Sequence, residues 1–238
     1  MALPADIVPA LNPSLNRALI GNVYRRNGRV HVGSILTPDS ANRIFQCLQS
    51  EVDYVLNVTT PDGVRWLHRD QNSPAQLAQV NRMAEEVARG GFAFQYDKYP
   101  MSDAGEPHPH PDHYLAAVTQ FLQGEPFLQF CREVTGIKEI ARADAQATCY
   151  RPGHFLTRHD DHVEGRLVAY VLNFTPVWNS DWGGMLLFTD SHGHVEEGYV
   201  PVWNGLNLMK VPQNHAVSLV APFAGGLRYS ITGWLLGR

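Results

Sequence analysis

The sequence predicts a mainly β fold with supporting α-helices (α+β), built as a single domain over residues 1–238. Three observations predict it. After Lys138, short apolar and β-branched segments recur at close intervals, separated by Gly, Pro, Asn and Asp turns, the pattern of a sandwich or barrel. Before Lys138, helix start and stop signals alternate with short apolar strands. No linker, repeat or low-complexity stretch separates the two parts, and hydrophobic residues at 44% suffice for one packed core.

The elements follow in order. Arg29–Val32 reads as a strand. Thr37 is a helix N-cap with Pro38 at the first helical position, and the helix over 40–49 places Ala41, Ile44, Phe45 and Leu48 on one face. Residues 53–58 alternate as a strand. Ser73 and Pro74 open a second helix over 75–89, stopped by Gly90 and Gly91, and 92–99 is a strand. Residues 111–134 form one or two helices, broken at Gly124-Glu125-Pro126. Strands are then expected at 146–150, 166–174, 185–188, 205–210, 216–220 and 228–235. Residues 1–138 thus supply helical support and N-terminal strands, and 139–238 the β core. Two polar, Pro-rich stretches, 60–74 and 101–111, are expected as mobile loops over a site. The first carries Trp66 as an exposed lid residue.

Bulk properties exclude several classes. The net charge is −4 with no basic run, which argues against a nucleic-acid surface. No apolar run reaches the roughly 20 residues that span a bilayer, and residues 1–12 lack the charged and apolar regions of a signal peptide. Cys47, Cys131 and Cys149 have no metal-type spacing and suggest free thiols in a reducing compartment. A cytoplasmic protein is the expectation, with its oligomeric state left open.

The chemistry begins at His159-Asp160-Asp161. On a strand, His159 and Asp161 point the same way and can converge on one metal, while Asp160 points away. Alone, the triplet reads equally well as a surface turn. His215, opening a later strand, supplies a third ligand. Two His and one carboxylate leave three open positions on an octahedral metal, the geometry of non-haem Fe(II) oxygenases, whereas structural zinc favours a closed tetrahedron with thiolates. His162 is directed elsewhere, His192 and His194 sit on a hairpin tip, and His108, His110 and His113 read as a solvated loop. In the alternating segment 228–234, Arg228, Ser230, Thr232 and Trp234 share one face. A buried Arg needs an anion, and a guanidinium grips a carboxylate through two parallel hydrogen bonds. 2-Oxoglutarate offers such a group, although an Arg reaching solvent at a strand end fits the sequence too. Trp203, Trp234 and Phe174 are expected in the core, and Trp178 and Trp182 over the barrel end beside Gly183 and Gly184.

Taken in order, Tyr150-Arg-Pro-Gly-His-Phe-Leu-Thr-Arg-His159-Asp-Asp161, Arg166 with its strand, Trp182-Gly-Gly-Met-Leu-Leu-Phe188, His215 and Arg228-Tyr-Ser-Ile-Thr-Gly-Trp234 resemble the prolyl-4-hydroxylase-type 2-oxoglutarate/Fe(II)-dependent dioxygenases. The His-Asp-Asp variant and Pro176-Val-Trp178 are similar to the ribosomal-protein prolyl hydroxylase branch and its bacterial single-domain relatives. The resemblance covers 145–236. It implies a double-stranded β-helix (jelly-roll, cupin-like) core. It further implies Fe(II) on His159, Asp161 and His215, with no catalytic side chain beyond these ligands. 2-Oxoglutarate would be held by Arg228, Tyr150 and Thr232, with Asn173 where relatives often carry a tyrosine. Trp66 and Trp182 are candidate substrate or lid contacts. The cofactors implied are Fe(II), 2-oxoglutarate and O2, with ascorbate as an accessory. The reaction implied is hydroxylation of a C–H bond of a prolyl residue in a protein or peptide, with succinate and CO2 as co-products. A free amino acid or small natural product is the alternative substrate. A non-catalytic β-helix binding protein and a zinc hydrolase are the alternatives of other classes. An intact Asp161 disfavours a halogenase, and the 223–226 stretch suggests an extra turn before Arg228.

Overall fold

Among the described residues, thirteen strands and five α-helices follow from these signals and from some the sequence hides. The computed structural model describes residues 7–103 and 105–237; the first six residues of the N-terminal stretch, Ala104 in the 101–111 segment, and Arg238 lie outside the described residues. In chain order the elements are α1 (Arg17–Asn27), β1 (Arg29–Val32), α2 (Pro38–Ser50), β2 (Val55–Thr60), β3 (Gly63–Leu67), α3 (Pro74–Ala88), β4 (Phe94–Ser102), α4 (Tyr114–Gln123) and α5 (Glu125–Thr135). There follow β5 (Arg142–Ala143), β6 (Ala145–Tyr150), β7 (Phe155–His159), β8 (Arg166–Asn173), β9 (Leu186–Thr189), β10 (Val195–Tyr199), β11 (Gly205–Lys210), β12 (His215–Val217) and β13 (Arg228–Leu236).

The cap chemistry explains the helices that were expected. Ser73 and Gln76 form a reciprocal capping box at the start of α3, with Pro74 in its first turn. Gly124 separates α4 from α5 at the expected break. Thr37 precedes α2, but its hydroxyl meets Ser40 Oγ at 2.7 Å instead of capping the helix. Helix α1 was not expected. Only Gly21 and Tyr24 of it are buried, so it has no apolar stripe to read.

The strands pair antiparallel in one sheet, ordered β1-β11-β8-β13-β6-β4-β7-β12-β9-β10, which curls into a nearly closed barrel. Strands from both parts of the chain build it. β1 pairs with β11 at one edge, and β4 joins β6 to β7. The helices cover one face. Ile44 and Leu48 of α2, Leu115 of α4, and Phe127 and Phe130 of α5 pack in one cluster with Leu172 of β8 and Ile231 of β13. The fold is therefore mainly β with supporting helices, and the opposite side of the same strands lines the barrel interior. Among the described residues, no helix is long and apolar enough to cross a membrane.

The two expected loops need correction. Residues 60–74 are not a plain loop: β2 and β3 make a hairpin, a 3-10 turn follows at Arg69–Gln71, and Arg69 is tied down by a buried carboxylate. Of 101–111, Met101 is buried, and so is His108, stacked 5.7 Å from His113 and 5.8 Å from Tyr99. A period-2 pattern could not reveal β3, because four of its five residues are exposed.

Candidate active site

His159 closes β7 and His215 opens β12, and the antiparallel register sets the two opposite each other. Their ring centroids lie 4.1 Å apart. Each imidazole is held by the carbonyl two residues upstream: His159 Nδ1 donates to Thr157 O at 3.0 Å and His215 Nδ1 to Gln213 O at 2.7 Å. A carbonyl only accepts, so Nδ1 carries the hydrogen and a neutral ring presents its Nε2 lone pair to the interior. Both Nε2 atoms reach Asp161 at 3.4 Å, one to each carboxylate oxygen. The three donor atoms lie within 4.8 Å of one another.

The convergence matches the expectation, but its cause differs. β7 stops at His159, and Asp161 does not extend the strand: its φ is +61°, in the left-handed region that short polar residues tolerate. Asp160 stabilises the turn, its main-chain carbonyl accepting from Gln213 N at 3.2 Å and its side chain from His162 N at 3.0 Å. Burial pushes the Asp161 carboxyl up, but the hydrogen bonds and positive charge that the two rings would supply in their protonated form prevail and hold it well below the usual carboxylate range. Three lone-pair donors directed at one point fit a divalent cation, and the His₂-carboxylate set suits a metal with open positions.

Arg228 is the second anomaly of this interior. It is 2% exposed, its Nε has no hydrogen-bond partner, and among the described residues it enters no ion pair. Its guanidinium carbon lies 4.8 Å from the Tyr150 ring centroid, and burial pushes its pKa down. A guanidinium placed this way lacks an anion. Arg228, Tyr150, Thr232, His159, Asp161 and His215 all line one cavity of about 240 Å³. Gln146 Nε2 donates to Thr232 Oγ1 at 3.4 Å, and Tyr150 stacks on Tyr96 at 5.2 Å. A larger trough of about 1000 Å³ near Glu125, Arg132 and Glu139 lies on the outer surface, and the metal-ligating residues and Arg228 take no part in it.

Other candidates fall outside this cavity. Asn173 is fully buried with its Nδ2 unpartnered and its Oδ1 3.4 Å from Ser230 Oγ, yet it does not line the cavity. Trp66 is exposed on β3 under the Lys98 ammonium, beside a neighbouring groove. Trp182 packs edge-on to Trp178 at 5.4 Å and against Gly225, and it does not line the cavity that holds His159, Asp161 and His215. A turn over 221–224 is closed by Ala224 N to Ala221 O at 3.0 Å, and a bend at 225–226 follows it before Arg228. His192 and His194 are exposed on the β9–β10 hairpin.

Sequence reasoning missed part of the wall. Trp234 is not simply core: it is half-buried in the cavity, its Nε1 unpartnered, with the Arg166 guanidinium 3.4 Å from its ring centroid. Its alternation with Arg228 and Thr232 was the available signal. Arg166 itself reaches 3.9 Å from Asp161 Oδ1. Phe92, Phe94 and Tyr96 form a ladder with 5.6 Å between successive centroids, and Phe92 lies 5.4 Å from His159. Their spacing of two residues was the sign of a shared face.

Comparison with known proteins bears on this arrangement. The profile of the 2OG-Fe(II) oxygenase superfamily matches residues 145–236. Prolyl 3-hydroxylase OGFOD1 of Mus musculus is 29% identical over 148 residues, covering 59% of this chain and 27% of that protein. The Xenopus laevis protein of the same name is 32% identical over 120 residues, covering 48% and 23%. The chain thus spans about a quarter of the length of these curated relatives. Among solved structures, a prolyl hydroxylase from Trichoplax adhaerens, in complex with a hypoxia inducible factor oxygen degradation domain peptide fragment, superposes with a TM-score of 0.64. It is 18% identical, covering 93% of this chain and 89% of that one, a likeness of fold. The superfamily implies Fe(II), 2-oxoglutarate and O2 as its cofactor set. The profile match spans the strands that carry the His-Asp-His cluster and Arg228, so this segment is similar to the 2OG-Fe(II) oxygenase superfamily in the residues of its candidate site, and the fold is similar to that of a prolyl hydroxylase.

Proposed function

We propose that this chain is an Fe(II)- and 2-oxoglutarate-dependent dioxygenase that hydroxylates a prolyl residue in a protein or peptide. The observation that carries this reading is Arg228: a buried guanidinium without an anion, lining the same cavity as two imidazoles and a carboxylate that converge on one point. Each oddity supplies what the other lacks, because 2-oxoglutarate has a chelating end for the metal and a distal carboxylate for the cation.

When bound, Fe(II) with 2-oxoglutarate would supply the O2-activating chemistry, giving succinate and CO2 as co-products. The chain's own residues bind and orient. His159, Asp161 and His215 would ligate the metal, their imidazoles kept in register by Thr157 O and Gln213 O. Arg228 would receive the distal carboxylate through two parallel hydrogen bonds, with the Thr232 hydroxyl beside it. Tyr150, backed by Tyr96, would shield that ion pair from water and so strengthen it. The aromatic ladder Phe92-Phe94-Tyr96 and Trp234 would enclose the target ring. The OGFOD1 relatives, prolyl 3-hydroxylases by name, support proline as the target. Three buried free thiols support a reducing compartment such as the cytoplasm. Ascorbate fits this reading as an accessory reductant.

The test is direct. Purified protein with Fe(II) and 2-oxoglutarate under argon should show the weak visible charge-transfer band of a chelated ferrous keto acid, and His159→Ala should abolish it. In air, mass spectrometry of candidate proteins and peptides should find a gain of one oxygen on proline. A protein that shows neither the band nor succinate formation is a binding module, and the proposal fails.

A further inference from the structure

Beside the metal cavity lies a groove of about 400 Å³ that shares Gln146, Thr232 and Trp234 with it. One side is Trp66, 58% exposed, with Pro100 next to it; Pro107 and Pro109 also contribute to the lining. The groove holds three carboxylates, Asp103, Glu106 and Asp144, against one cation, Lys98. Lys98 Nζ sits 3.8 Å from the Trp66 ring centroid; burial pushes its pKa down and the Asp103 carboxylate opposes that shift. Among the described residues, none of the three carboxylates enters an ion pair. The inner cavity has a different balance, with Arg166 and Arg228 against the single carboxylate Asp161 in its wall. The charge thus changes from positive at the Arg228 end and over Trp234 to negative in the groove beyond it.

We infer that this groove is the docking track for polypeptide flanking the hydroxylated residue, and that it selects a basic side chain there. The inference rests on the proposed hydroxylation of a prolyl residue. Continuity with the metal cavity gives the track its origin: a chain whose target ring lies beside Trp234 passes into the groove. The apolar walls suit the aliphatic stem of a Lys or Arg, and the unpaired carboxylates suit its head. Acidic lining repels phosphate, so nucleic acid does not fit. An acidic flanking segment would add like charge to like and is rejected by the same field.

The test uses the full chain loaded with Fe(II) and 2-oxoglutarate. Three peptide series share a central proline and carry Lys, Gln or Glu, walked through the flanking positions. At the best position KM should fall from Glu to Gln to Lys, by about threefold for each facing carboxylate, as partly exposed pairs allow. The Asp103→Asn/Glu106→Gln double variant changes two exposed residues, and it should cut the Lys preference to at most the roughly threefold that Asp144 alone supplies. High salt should weaken the preference in the native chain. Equal KM for Lys and Glu peptides at every position, or a Lys preference undiminished in the double variant, overturns the inference. Anaerobic binding of the same peptides, read by tryptophan fluorescence with Trp66→Phe as control, separates this from the hydroxylase reading. Charge-selective binding without oxygen gained keeps the groove and sinks the hydroxylation. Oxygen gained without charge selectivity keeps the hydroxylation and sinks the groove.

Discussion

Replacing Arg228 by Met separates a site residue from a structural one, because the two roles predict opposite changes in stability. Arg228 is 2% exposed, has an unpartnered Nε and forms no ion pair among the described residues. A structural arginine holds the fold through its partners, and removing it costs several kcal/mol. An unpaired buried guanidinium is instead a cost that the fold bears, and an apolar chain of similar length relieves it. Substitutions of that kind are neutral or stabilising by about 1–4 kcal/mol. Taking about 2 kcal/mol, the metal-loaded variant without co-substrate should melt roughly 4–8 °C above the native chain. Binding moves the other way. Losing two parallel charge-assisted hydrogen bonds removes about 3 kcal/mol, on the order of a hundredfold in Kd. At a 2-oxoglutarate concentration one hundred times the native Kd, the native chain gains about 2.7 kcal/mol of stability and the variant about 0.4 kcal/mol. Thermal melts of the Fe(II)-loaded protein under argon, with and without 2-oxoglutarate, read both quantities, and calorimetric titration checks the second. The reasoning is refuted by a variant that melts several degrees below the native chain and still gains the native shift when 2-oxoglutarate is added.

Three further outcomes follow from named contacts. Arg69→Ala leaves the fully buried Asp97 with Arg151 as its remaining cation; it should cost about 2 kcal/mol in urea unfolding and speed chymotryptic cutting near Trp66, and unchanged cutting would mean that the hairpin is held by other contacts. His154 is pushed down to about 4, chiefly by burial, whereas burial pushes Asp144 up to about 6. The His154 contribution is lost as pH falls from about 6.5 to about 4, because the unfolded chain then binds the extra proton; the Asp144 contribution grows as pH falls from about 6 to about 4, because there the folded chain does. Each is worth about 3 kcal/mol, so the two offset, and His154→Gln should leave a protein that gains stability relative to the native chain as pH drops through that window; parallel urea profiles for the two proteins would refute it. Gly183→Ala puts a Cβ 2.0 Å from Leu219 O at a φ of +66°, and should cost about 2–4 kcal/mol in the same assay.

Features with a short period were legible in the sequence. The capping box of α3, the break between α4 and α5, and the alternation of β13 that put Arg228 and Thr232 on one face all lie within a few residues of chain. The same alternation included Trp234, and only the habit of assigning tryptophan to the core kept it from the cavity wall. Features without a local period were not legible. α1 buries two residues and β3 almost none, so neither leaves a stripe. The left-handed conformation of Asp161 has no signal in His-x-Asp spacing, and strand geometry reached the same convergence by another route. The Arg69–Asp97–Arg151 cluster joins residues 28 and 54 positions apart. Its members look like ordinary solvated charges until the register of β4 against β6 buries Asp97.

The two imidazoles of the candidate metal site lie at strand ends, and the structure supplies a reason. Inside a ladder, main-chain carbonyls are used by neighbouring strands. Where β7 ends and β12 begins, Thr157 O and Gln213 O can serve the imidazoles two residues downstream. Both tautomers are therefore set by a local device within three residues of chain, while the distance between the rings is set by the β7–β12 register. Arg228 has no such support. It opens β13 opposite Tyr150, with Gly184 close enough that a Cβ there would meet its Cδ at 3.5 Å, and among the described residues its Nε has no hydrogen-bond partner and its head enters no ion pair. The contrast has a physical meaning. The ring nitrogens that must stay fixed are satisfied by the chain itself. On the proposed function, the cation that would receive an exchangeable anion is left unsatisfied, so its burial would cost stability until the co-substrate arrives, and that cost would become the affinity and the selectivity with which a dicarboxylate is taken up.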